Sequence, residues 1–83
     1  MTPEEIKQLI ESGIPASQAL VDGDGTHFEA VVVAEAFAGL SQVRQHQLVY
    51  AALGERMGGA IHALSMRTYT PQEWEAARNL RVL

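Results

Sequence analysis

The stretch GLSQVRQHQLVYAALGERMGG, residues 39–59, decides how the rest of the chain folds. Ser41 is a good N-cap, and Val43, His46, Val49, Tyr50, Leu53 and Met57 fall within about a third of a helical wheel. The spacing predicts a long amphipathic helix running from Ser41 to Met57, ended by Gly58 and Gly59. Strand-forming runs lie on both sides of it: Thr26–Ala34, with AVVV at its centre, and Ala60–Tyr69. A helix between two strands cannot serve as a tight hairpin turn. It makes a crossover, which favours parallel strands and is nearly always right-handed.

Upstream, Thr2, Pro3 and Glu5 form a helix-start device, and Ile6, Leu9 and Ile10 give the apolar stripe. Gly13 and Pro15 stop that helix. A first strand is expected from about Ala16 to Val21, followed by a turn over Asp22–Gly25, so the first two strands form an antiparallel hairpin. EAFAGL, residues 35–40, reads as an irregular or one-turn connector. Downstream, Thr70, Pro71 and Glu73 open a last short helix carrying Trp74. The order is α-β-β-α-β-α: an α+β chain with one three-stranded sheet and helices packed on it, a single domain over residues 1–83.

Composition narrows the function classes. A hydrophobic fraction of 47% is that of a folded protein, but 83 residues bury only a modest core. There are no cysteines, which removes disulfides and any cysteine-based metal site made by this chain alone. MTPEEIKQ has neither the basic start nor the apolar run of a signal peptide, and AVVVA and LVYAAL are too short to span a bilayer, so a cytoplasmic protein with no membrane partner is expected. The formal charge is −4 and the six Lys/Arg are scattered, which argues against a nonspecific grip on phosphate.

The topology makes two histidines interesting. His27 follows the glycine-rich turn at the start of the second strand, and His62 lies near the start of the third. If those strands are parallel neighbours, about 4.8 Å apart, both histidines come to one corner of the sheet. A different reading of His62 stands beside this one: alternation groups it with Leu64, Met66 and Thr68, as a neutral, partly buried structural histidine. Asp22 or Asp24 is placed to orient His27. His46 sits in the apolar stripe of the long helix, where packing with a hydrogen bond to a neighbour is expected, and Tyr50 shares that role.

Three blocks, VDGDGTHFEAVVV (21–33), GLSQVRQHQLVYAALGERM (39–57) and IHALSMRTYTPQEW (61–74), together resemble the BolA family in its compact bacterial form. The resemblance covers about residues 16–75. It implies a class II KH-like fold with a mixed sheet. It also implies partnership with a monothiol glutaredoxin, through a bridging [2Fe–2S] cluster to which glutathione contributes, in iron–sulfur trafficking, iron or redox regulation, or a stress response. The family's cluster-ligand histidine matches His62, and the loop ligand, cysteine or histidine, matches His27. Such clusters usually need thiolates, and this chain has none, so the isolated chain is expected to be free of cofactor. Imidazole in place of thiolate removes negative charge from the iron, and a protonated imidazole cannot ligate.

The family is also described as transcriptional regulators, and DNA is the alternative partner. On that reading Arg44, Gln45 and Gln47 of the long helix are available to phosphates or bases. The KH clamp G-x-x-G has no match; Gly54-Glu-Arg-Met-Gly58 carries one residue too many. No serine stands in a nucleophile-activating motif, so an enzyme is not expected. A metal-free interaction protein would use a sheet edge, the last helix, or the loosely basic group Arg67, Arg78 and Arg81.

Overall fold

The structure is a computed structural model that describes the backbone of residues 1–82 and the side chains of residues 1–79. Its elements follow the expected order: α1 (Pro3–Gly13), β1 (Ser17–Gly23), β2 (His27–Ala34), a 3-10 turn (Glu35–Phe37), α2 (Gln42–Leu53), a second 3-10 turn (Gly54–Arg56), β3 (Ala63–Tyr69) and α3 (Pro71–Val82). The sheet order is β1-β2-β3, with β1 antiparallel and β3 parallel to β2. The crossover through α2 therefore does what residues 39–59 require.

Local chemistry sets the ends of the elements. In α1 the Thr2 hydroxyl accepts from the Glu5 amide at 3.2 Å, and the Glu5 carboxylate accepts from the Thr2 amide at 3.0 Å. Thr70 and Glu73 repeat the device at α3, at 3.2 and 2.8 Å. The Ser41 hydroxyl accepts from the Arg44 amide and caps α2. Three expectations need correction. The long helix ends at Leu53 rather than Met57, because Gly54 adopts φ +60° and turns the chain. The first strand runs on through Asp22 and Gly23, so the hairpin turn shrinks to Asp24–Thr26. The third strand starts at Ala63, and residues 60–62 belong to the turn before it.

One face of the sheet carries the core. Ala19 of β1 and Phe28, Ala30 and Val32 of β2 pack against Ile6, Ile10 and Ile14 from the first helix and its exit, and against Val49 and Leu53 of α2. Leu64 and Met66 of β3 close the same face from the edge. The α2 stripe is rotated from its expected position: Val49 and Leu53 are buried, but Val43 is 68% and Tyr50 42% exposed. The close approach of α1 to α2 fixes that rotation. A Cβ at Gly13 would lie 2.6 Å from the Ala52 Cβ, so the helices touch at a site with room for hydrogen only. Gln45 faces inward as well. Its amide donates to the Phe37 and Leu40 carbonyls, each at 3.1 Å, and its oxygen accepts from the Thr68 hydroxyl at 2.6 Å. One side chain thus ties the connector, α2 and β3 together. α3 lies on the opposite face, where Trp74 packs on Tyr69 with ring centroids 5.3 Å apart.

Two stability predictions follow from this packing. Gly13→Ala should cost about 1–3 kcal/mol by urea denaturation, as overpacking does. Combining it with Ala52→Gly should restore part of that loss despite the helix penalty of glycine, so additive losses would refute the contact. The second concerns pH. The hydrogen bonds from the Thr2 amide and hydroxyl group hold the Glu5 carboxyl below the usual glutamate range. A depressed folded-state value means the bonds contribute fully above the unfolded value and fade as pH falls through the folded one. The Tm difference between wild type and Glu5→Gln should therefore be largest near neutrality and shrink as falling pH protonates the Glu5 carboxyl.

Candidate metal-ligand site

β2 begins at His27, β3 begins at Ala63, and these two residues are direct partners across the parallel pair. His62 precedes Ala63 by one residue. His27 thus faces Ala63 across strands about 4.8 Å apart, with His62 the next residue back along the chain. Residues thirty-five apart in sequence therefore meet at one corner of the sheet. Both histidines are exposed. That corrects the partly buried reading of His62: it sits in the bend before β3, outside the alternation that buries the strand.

Each exposed histidine adjoins a fixed apolar anchor. Phe28, next to His27, is 1% exposed, and Ile61, next to His62, is fully buried. The Ile61 backbone is held in turn: its amide donates to the Arg56 carbonyl at 2.9 Å, and its carbonyl accepts from the Gly58 amide at 2.9 Å. On the other side the Asp24 carboxylate accepts from the Thr26 amide at 2.9 Å and the His27 amide at 2.8 Å. Those two backbone bonds, the His27 one foremost, hold the Asp24 carboxyl below the usual aspartate range. Of the two aspartates read as orienting groups, Asp24 thus fixes the His27 main chain, while Asp22 accepts from the Gly23 amide and lies within β1. Gly23 is required where it stands, since a Cβ would come within 2.5 Å of the His27 carbonyl oxygen. The sequence reading missed the backbone role of Asp24 and the anchoring by Phe28 and Ile61. The D-x-T/S-H spacing of an Asx turn was the visible signal for the first.

The donor set is two neutral-nitrogen ligands and no sulfur. Among the described residues no group of three or more His, Cys, Asp or Glu is arranged to hold a metal. A four-coordinate iron would find at most half its ligands on this chain.

The other sequence candidates fall elsewhere. His46 is half-buried, and its Nε2 has no hydrogen-bond partner, against the expected bond to a neighbour. Arg44 and Gln47 are exposed on α2, but the bonds of Gln45 withdraw it from any nucleic-acid surface. Arg67 is exposed, Arg78 lies 3.9 Å from Glu75, and the Arg81 side chain lies outside the described residues. No described helix is long and apolar enough to cross a membrane.

Comparison with known proteins bears on this geometry. The family model described as BolA-like protein matches residues 1–73. The acid stress protein IbaG of Escherichia coli K12 is 38% identical over 81 residues, covering 96% of each chain. Human BolA-like protein 1 is 42% identical over 74 residues, which are 89% of this chain; the match spans about half of that protein, 52%. The structure of a BolA homologue from Coxiella burnetii superposes with a TM-score of 0.84 at 50% identity, covering 90% of this chain and 97% of the other. A family model over most of the chain, a full-length relative and a shared mixed sheet agree, and the chain belongs to the BolA-like protein family.

Proposed function

We propose that the protein is a non-enzymatic iron–sulfur adaptor, which binds a monothiol glutaredoxin and shares a bridging [2Fe–2S] cluster with it. His62 and His27 are its two ligands, and the partner's cysteine and glutathione supply sulfur. The observation that carries this reading is the β2–β3 register, which sets His27 against Ala63 and so brings His62 beside it. Two exposed imidazoles on buried anchors suit a cluster that arrives with another protein: they are accessible, and they lose little order on ligation. The lack of any thiolate supports sharing rather than sole possession. Imidazole ligation makes the adaptor a means of changing the potential or lifetime of the partner's cluster. The DNA-binding alternative gains nothing comparable, since one of its three residues is engaged inside the fold.

Anaerobic reconstitution with a monothiol glutaredoxin and glutathione tests the ligands. His62→Ala should abolish the absorption and circular dichroism bands that distinguish the mixed complex from glutaredoxin alone, and His27→Ala should shift them. Wild-type spectra from the His62 variant would remove that residue from the site. Asp24→Ala should shorten the cluster lifetime roughly tenfold by releasing the His27 backbone, while Asp24→Asn, which keeps an acceptor oxygen, should stay near wild type. Equal lifetimes for the two variants would exclude the positioning role.

A further inference from the structure

The face of the sheet opposite the core is only partly covered by α3, and it holds a groove of about 570 Å³. Its floor is Leu20 of β1 and Val31 of β2, which are direct partners, and one wall is Trp74, held against Tyr69. Leu20 is 55% exposed, a large apolar side chain presented to solvent from a strand. Charges sit in two rows. Asp22 and Glu29 are direct cross-strand partners and line one end. Arg67, partner of Val31, lines the next row, about 7 Å along the strands.

Two carboxylates directly opposite each other on neighbouring strands repel. Among the described residues neither is ion-paired, and Arg67 is not paired either; the Arg78–Glu75 contact is the salt bridge found there. Among the described residues, this face therefore carries an acid pair and a guanidinium without ion-pair partners, with apolar surface between them. We propose that this groove receives an extended segment of a partner protein, which presents a lysine or arginine to Asp22 and Glu29, a carboxylate to Arg67, and an apolar side chain to Leu20 and Val31.

Three features favour this occupant. The apolar floor and its length suit a polypeptide rather than a lone cation. Trp74 adds an aromatic wall for the segment's apolar side chains. The outer edge of β1 is already blunted, because the Glu11 carboxylate accepts from the Ala19 amide at 3.0 Å, so the partner lies on the face rather than adding a strand there. A second copy is a poor occupant, since each chain carries a formal charge of −4. The row holding Asp22 and Glu29 adjoins the row holding His27, so a partner seated in the groove has its neighbouring surface at the histidines. Choosing a glutaredoxin as that partner rests on the adaptor reading above.

The test is titration of the isotope-labelled chain with an iron-free monothiol glutaredoxin, following amide shifts and Kd. Shifts should concentrate at Leu20, Glu29, Val31, Arg67 and the Trp74 indole. Asp22→Asn with Glu29→Gln should weaken binding at least tenfold while leaving Tm equal or higher, because it relieves repulsion and keeps the acceptor for the Gly23 amide. Arg67→Glu should also weaken binding, and Val43→Ala, on the exposed side of α2 away from the groove, should bind within about twofold of wild type. Unchanged affinity in the groove variants, or shifts centred elsewhere, would overturn the groove and leave the adaptor reading standing. No binding by wild type would also overturn the groove, while the cluster-bridged adaptor reading stands or falls on the reconstitution spectra. Concentration-dependent shifts at the groove without glutaredoxin would assign it to a second copy instead.

Discussion

Parallel strands cannot be joined by a tight turn, and that restriction organises this molecule. β3 can lie beside β2 only after the chain has climbed α2 and returned, which brings the starts of both strands to the same end of the sheet. An antiparallel β3 would have carried His62 to the far end from His27. The helix that makes the return is itself fixed by the bare contact between Gly13 and Ala52 and by the three-way grip of Gln45. The site is thus a product of topology, and local sequence alone does not create it.

The two faces of the sheet divide the work. One buries Phe28, Ala30 and Val32 under α1 and α2 and supplies the stability that so short a chain needs. The other is left half open, with charges that repel one another and a leucine in water. A chain with a small core has little stability to spare, so surface that works against folding is best understood as surface kept for binding. The histidine corner lies where the two faces meet the turns. Its backbone is held by the Asp24 and Ile61 hydrogen bonds and its two imidazoles are exposed.

The adaptor proposal and its DNA-binding alternative would use different surfaces of this fold. In this chain the helix that a DNA reader would use spends Gln45 on internal bonds and presents Val43 and Tyr50 to solvent. With few cations and a negative total charge, that surface has little attraction for phosphate.

Sequence alone determined the element order and the three helix caps, because caps and crossovers are local rules: Thr2, Ser41 and Thr70 name their helix starts, and a helix between two strands names a return, while the neighbouring of β2 and β3 that brings the two histidines to one corner came from the sheet. It also carried the family, through ordered blocks around His27, Gln45 and His62. Tertiary structure decided the rest. Whether His62 is buried depended on where β3 starts, and Gly58 and Ile61 hold that turn through bonds no pattern reveals. Which side of α2 faces inward depended on how closely α1 approaches. Asp22 and Glu29 became neighbours only through strand register, a long-range choice made by the sheet as a whole and invisible in either strand read by itself.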